Sequence, residues 1–289
     1  MDAVILAMLA KYQCQTEDEF ENALKQIMQQ IALLGLWRSK FYEHAAFYGG
    51  TALRILYGLN RFSEDLDFSL LYADPLFSLT PYLSAIQEEL TAFGFSVEIT
   101  LKKKNIDTAI HSAFLKSNTQ QHLISVNAPP AIKEAIHARK VMTIKLEVDT
   151  NPPLGFTTQT RPLLNPIPFW VKSYSLSDQF SGKLSACLCR QWKNKVKGRD
   201  WYDFLWFLQQ GVKFNRAFLE TRLREFGFYV DESPLSMAFL KKLLISKIES
   251  LNIEWAKEDI NKFIKDPSEI DAWSKSLFLA AVDMLAAND

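Results

Sequence analysis

The chain is poor in the residues that build metal centres and hydrolytic sites. It has three cysteines, Cys14, Cys187 and Cys189, an odd number without the spacing of a zinc site or a disulfide framework, which fits a reducing cytoplasm. The four histidines, His44, His111, His122 and His137, lack ligand spacing, and none accompanies a Ser or Cys nucleophile motif. Net charge is also missing: 33 basic residues cancel 33 acidic ones, so any attraction to a polyanion must be local. No run approaches the roughly 20 apolar residues that span a bilayer. The apolar stretch Ala3 to Ala10 follows an aspartate instead of the basic flank of a secretory signal, so it is expected to pack as a helix, and no membrane partner is expected. Internal repeats and low-complexity tracts are absent.

What is present suits a folded protein of one or two domains, with two favoured: 48% apolar residues, with 21 Phe, 9 Tyr and 7 Trp to fill a core. Thr16 and Glu19 form a capping-box pattern ahead of Phe20, Leu24, Ile27, Ile31 and Leu34 at helical spacing, with Gly35 as the expected end. The run 45–48 stops at Gly49-Gly50, and a helix is expected over 51–57. Residues 61–70 read as a strand, with Asp65, Asp67 and Ser69 on its polar face. A helix over 81–93 leads to a strand in which Phe95, Val97, Ile99 and Leu101 alternate with polar residues. Residues 117–132, which include Pro129-Pro130, read mostly as loop. The sharpest strand is 141–149, with Met142, Ile144, Leu146 and Val148 on one face and Thr143, Lys145, Glu147 and Asp149 on the other. From about 172 onward every strong pattern is helical. The pattern predicts an α+β fold: a first domain, 1–165, of N-terminal helices and a mixed sheet, and a helical C-terminal domain, 166–289.

One constellation carries chemistry. A glycine pair after a strand lets backbone amides approach a phosphate, and the helix after Thr51 turns its positive end toward that anion. Asp65 and Asp67, at i and i+2 of a strand, point the same way and suit a divalent ion. A third carboxylate, Glu147 or Asp149, would complete a site for in-line nucleotidyl or phosphoryl transfer. A glycine pair alone is a turn, and Asp-x-Asp alone is common on solvated strands; it is their ordered combination that is informative.

Tyr48-Gly49-Gly50-Thr51-Ala52-Leu53-Arg54 followed by Arg61-Phe62-Ser63-Glu64-Asp65-Leu66-Asp67-Phe68 closely resembles the signature of the AbiEii/AbiGii nucleotidyltransferase toxins, members of the DNA polymerase β-like nucleotidyltransferase superfamily. Ile144-Lys145-Leu146-Glu147-Val148, Gly182-Lys183-Leu184 and Lys197-Gly198-Arg199-Asp200-Trp201-Tyr202-Asp203 extend the resemblance over roughly residues 45–210. It implies a metal-dependent enzyme of a type IV toxin–antitoxin system that moves a nucleotide from an NTP to an RNA end, tRNA in the characterised relatives, and releases pyrophosphate. A cognate DNA-binding antitoxin is the implied partner, and Mg²⁺ or Mn²⁺ the implied ion. Carried over by position, Gly49, Gly50 and Thr51 match the phosphate loop and Asp65 and Asp67 the metal pair. Lys183 matches the motif lysine and Asp200 the final acidic motif, both contributed to the cleft by the C-terminal domain.

Other positions have a bland and a functional reading. Lys183 lies at the margin of an apolar helical stripe that opens at Ser175 and Asp178, where it either snorkels or steadies a triphosphate. Between Arg190 and Arg199 five basic residues and no acid surround Trp192. Lys193, Lys195, Lys197 and Arg199 are therefore either a solvated loop or an RNA-binding patch. Asp200 is placed to cap the next helix. Ser63, two residues before Asp65, either supports the strand entrance or offers an accessible hydroxyl beside the metal and nucleotide site, as a control point. The rivals are a same-fold enzyme acting on a protein hydroxyl or small molecule, and a non-catalytic binding module; retention of both aspartates counts against the latter.

Overall fold

The computed structural model describes residues 3–101, 109–119, 121–122, 140–191 and 195–288. Two compact units divide the chain: residues 1–57, 64–152 and 160–173 form the first, and residues 58–63, 153–159 and 174–289 the second.

The first unit is a sheet with helices. Helix α1 (Ala3–Ala10) buries Ile5, Met8 and Leu9, as expected of a packed segment. Helix α2 (Glu17–Arg38) opens with the capping box: the Thr16 hydroxyl accepts the Glu19 amide and the Glu19 carboxylate accepts the Thr16 amide. Strand β1 (Ala45–Tyr48) passes directly into helix α3 (Gly49–Tyr57). Strand β2 (Leu66–Leu70), helix α4 (Thr80–Ala92), strands β3 (Glu98–Leu101), β4 (Ile110–Asn118) and β5 (Val141–Asp149) follow, then β6 (Thr158–Leu163) and β7 (Phe169–Tyr174). The seven strands lie in the order β3-β4-β5-β2-β1-β7-β6. The sheet is mixed: β1–β7 and β2–β5 run parallel, while β1–β2, β3–β4 and β4–β5 run antiparallel. Leu66 and Phe68 of β2 and Met142, Ile144, Leu146 and Val148 of β5 are fully buried together with Ile27, Ile31 and Leu34 of α2. Alternation along β2 and β5 therefore turns one sheet face into the core and leaves their acidic residues on the other.

The second unit is built mainly of helices: α5 (Leu176–Cys189), α6 (Gly198–Gln209), α7 (Arg216–Glu225), α8 (Met237–Glu249), α9 (Ile253–Asn261) and α10 (Lys275–Val282). Its core is aromatic; Phe180 stacks on Phe207 at 4.6 Å, and Trp201 meets Phe278 edge-on at 5.3 Å. The mixed sheet and the helical second unit are the architecture expected of an α+β chain. No helix among the described residues is long and apolar enough to cross a membrane.

Several local expectations change. Gly35 does not end α2, which runs on to Arg38. A Cβ there would lie 2.8 Å from the Ile86 Cα, so the glycine marks the close crossing of α2 and α4. The strand expected over 61–70 begins only at Leu66, and Arg61 folds into the second unit. Strand β4 continues through residues 117–118, and residues 119, 121 and 122 are helical; residues 120 and 123–132, with Pro129-Pro130, lie outside the described residues, as does His137. Strands β6 and β7 lie mostly where no pattern is legible, and the short pair β8 (Phe214–Asn215) and β9 (Ala287–Asn288) interrupts the region that reads as helical.

Candidate active site

In the first unit the turn between β1 and α3 meets the edge of the acidic strand. Gly49 has φ +85°, and a Cβ placed there would lie 2.8 Å from Asp67 Oδ2. Only glycine lets the backbone turn this way and pass so close to the carboxylate. Thr51 is fully buried, and its hydroxyl donates to the Asp65 carbonyl at 2.5 Å. Its proton is therefore committed to holding the aspartate segment against the start of α3. The Gln29 side-chain amide, from buried α2, donates to the neighbouring Glu64 carbonyl at 2.9 Å. Two consecutive carbonyls are thus pinned just ahead of β2. Asp65 lies one residue before the strand and Asp67 within it.

Register decides which carboxylates are neighbours. Asp67 pairs with Tyr48 of β1 and Glu147 of β5, and Glu147 pairs with Ser112 of β4, so one polar row crosses β4, β5, β2 and β1. Glu147 Oε1 lies 2.7 Å from Lys145 Nζ and accepts the Ser112 hydroxyl at 3.2 Å. Asp149 lies two residues further along, opposite Ser69, where its carboxylate accepts the Asn151 amide at 3.0 Å. It closes the turn after β5.

Among the described residues no three His, Cys, Asp or Glu side chains gather as an all-protein metal cage. The residues nevertheless fit Mg²⁺ or Mn²⁺ in the manner usual for nucleotide enzymes, where one or two carboxylates hold the ion and substrate phosphates complete its shell. Asp65 and Asp67 would supply the hard oxygens, and Gly49 leaves open the space beside Asp67 that a Cβ would fill.

In the second unit Lys183 and Asp200 sit in an ionic network that is buried at Arg61, Asp200 and Asp203 and open to solvent at Arg190. Lys183 Nζ lies 2.8 Å from Asp203 Oδ2 and 3.0 Å from Asp200 Oδ1. Arg61 grips Asp203 with two bonds, Nε to Oδ1 at 2.6 Å and Nη2 to Oδ2 at 2.7 Å, and Arg190 Nη1 holds Asp200 Oδ2 at 2.6 Å. Burial favours neutral forms here, but the facing charges outweigh it: Asp203 is held below the usual carboxylate range and Lys183 above the usual lysine range. Asp200 lies in the first turn of α6, whose N-cap is Lys197 with no side-chain bond, so the expected capping role gives way to ion pairing. Arg61 and Asp203 escape sequence reasoning because they are 142 residues apart.

The remaining candidates scatter. Ser63 is buried at 8% exposure, which corrects the expectation of an accessible hydroxyl. Lys193 lies outside the described residues; Lys195 is exposed and Lys197 half-buried. Arg199 stacks 4.1 Å over the Phe263 ring and pairs with Asp259 at 3.8 Å. Cys187 is buried, with its thiol pushed well above the ordinary value by burial.

A glycine turn against an acidic strand on a mixed sheet is the arrangement the motifs anticipate, and the profile of the nucleotidyl transferase AbiEii toxin family, a type IV toxin–antitoxin family, matches residues 31–281. The chain belongs to the AbiEii family. The match reaches well past the motif-bearing region and takes in most of the helical second unit. No curated protein sequence matches the chain. Among solved structures, JHP933 from Helicobacter pylori is similar at 17% identity and a TM-score of 0.50, covering 91% of this chain and 90% of that one. This likeness concerns the fold. A structure described as a candidate nucleotidyltransferase from H. pylori is similar at 18% identity and a TM-score of 0.48, covering 89% of this chain and 91% of that one. Family membership makes the chain a nucleotidyltransferase of a toxin–antitoxin family, and the likeness to JHP933 gives it the fold expected of one.

Proposed function

We propose that this AbiEii chain transfers a nucleotidyl group from an NTP to the 3′-hydroxyl of an RNA, with tRNA the favoured acceptor. The acceptor oxygen bonds to the α-phosphorus, the bond from that phosphorus to the α–β bridging oxygen breaks, pyrophosphate leaves, and the hydroxyl proton passes to a base. The observation that carries the reading is the apposition of the Gly49 turn to the Asp67 carboxylate.

Gly49 and Gly50 bring the first amides of α3 to the phosphates. Asp65 and Asp67 would hold Mg²⁺ or Mn²⁺, which when bound draws charge from the α-phosphate and makes the acceptor hydroxyl more acidic. Glu147, in register with Asp67, is better placed than Asp149 as the third carboxylate and proton acceptor. Lys183 is proposed as a cation for an anionic ligand; its network sets three cations, Arg61, Lys183 and Arg190, against the two carboxylates Asp200 and Asp203. A cognate DNA-binding antitoxin fits the type IV family.

The test is incubation of the purified chain with labelled NTPs and, separately, RNA, protein and small hydroxyl acceptors. Label is expected on the RNA 3′ end, to be lost on EDTA treatment and in Asp67→Ala. Lys183→Met is expected to lose it too, because the ammonium charge is required rather than the stem. Labelled protein or small molecule with unlabelled RNA would replace the RNA reading, and full activity in EDTA would remove the metal assignment.

A further inference from the structure

We infer that Lys145 is a positioning residue that sets the divalent-ion affinity of the Asp65–Asp67 pair through its hold on Glu147; the inference rests on the reading of that pair as the metal site. Lys145 and Glu147 lie two residues apart on β5 and so share a sheet face. The Lys145 ammonium is 2.7 Å from Glu147 Oε1, the same oxygen that accepts the Ser112 hydroxyl at 3.2 Å. Glu147 is therefore fixed from its own strand and from β4, in direct register with Asp67.

This pairing is more than a solvated surface pair. The Lys145 and Glu147 side chains are only 30% and 25% exposed, so water and salt screen them less than a fully exposed pair. An unmasked carboxylate on β5, in register with Asp67, adds its charge to the field at a cation held there. Lys145 offsets that charge and occupies the Glu147 oxygen. With that charge offset, the site suits an ion that arrives with substrate phosphates instead of one held permanently by protein. The acidic face includes Asp149, whose carboxylate is turned to the Asn151 amide and is no substitute for Glu147.

The experiment measures Mn²⁺ binding to the full chain by the electron paramagnetic resonance of free Mn²⁺, without nucleotide or turnover. Removing the ammonium in Lys145→Met is expected to tighten Mn²⁺ binding at least about threefold, the order of effect of an unmasked nearby charge. Lys145→Gln supplies the same loss of charge if the Met variant folds poorly. Lys145→Arg should restore parental affinity, and the Lys145→Met/Glu147→Gln double variant should return to it, because the gain travels through Glu147. Unchanged or weaker binding in both neutral variants, or a gain that survives Glu147→Gln, overturns the inference. Parental binding that persists in Asp67→Asn overturns the underlying metal-site reading instead, so the two failures are distinguishable.

Discussion

Gly49 and Gly58 share a left-handed backbone, with φ of +85° and +77°, but differ in their surroundings. A Cβ at Gly58 meets nothing within 4 Å, whereas one at Gly49 presses on the Asp67 carboxylate. Alanine at either position should cost about 1–2 kcal/mol of stability from the backbone alone. Only Gly49→Ala should also displace the carboxylate, and a misplacement of about 1 Å is enough for roughly a hundredfold loss of rate. Comparing urea midpoints and nucleotide transfer for the two variants separates strain from chemistry; equal activity in both would remove Gly49 from the site. A second residue-scale prediction concerns Asp203, fully buried between Arg61 and Lys183. Asp203→Asn leaves those cations without their shared anion and should destabilise the chain by about 3–5 kcal/mol at neutral pH. Because the Asp203 pKa is depressed on folding, its stabilisation is present above the unfolded value near 3.9 and is lost as pH falls through the lower folded value. The stability gap between parent and variant should therefore be constant near neutrality and shrink below about pH 4. Denaturant titrations across that range check the sign, and a gap unchanged at low pH would refute it.

At the scale of elements, three helical glycines have different reasons to be glycine. Gly35 sits where α2 crosses α4, and Gly198 sits where the start of α6 meets α9, its Cβ position only 1.9 Å from the Ala256 carbonyl oxygen. Gly182, within α5, has open space around it. Gly182→Ala should stabilise by about 0.4–1 kcal/mol through the unfolded chain. Gly35→Ala should destabilise by about 1–3 kcal/mol, and Gly198→Ala by more, because a backbone oxygen must move. Thermal melts rank the three, and any other order contradicts these packings. Such crossings explain what sequence can convey. Strand β5 is legible from end to end because its alternation is unbroken, and the capping box of α2 because it is local. Gly35 misleads because glycine punctuates helices as often as it admits a neighbour. Strand β6 has no apolar face, its residues alternating between exposed and half-buried, and it carries Pro162, so no periodicity announces it. In the site, the loop and the aspartates are legible as motifs. Gln29, Ser112 and Arg61 are not, because each acts on a partner distant in sequence or on a neighbouring strand.

Across the whole molecule the charges cancel, so an RNA acceptor can be drawn only by a local patch, and the stretch 190–199 is the densest concentration of positive charge in the sequence. Two of its members are already engaged, Arg190 with Asp200 and Arg199 with Asp259 and the Phe263 ring. Exposed Lys195 and half-buried Lys197 remain the better candidates, together with Lys193. Replacing all three with Gln should weaken RNA binding and flatten its dependence on salt. Each phosphate left without its lysine lowers the slope of log K against log salt by about 0.7 for a single strand and about 0.9 for a duplex. The melting temperature of the triple variant should stay nearly unchanged, so that a loss of binding would not be a loss of fold. NTP affinity, measured on the same triple variant, should stay at the parental value if these lysines serve the acceptor. Weakened NTP binding with normal RNA binding would assign them to the triphosphate instead. If neither affinity moves, the stretch is a solvated loop, and a neutral molecule must then recognise RNA by shape or by base edges on some other surface.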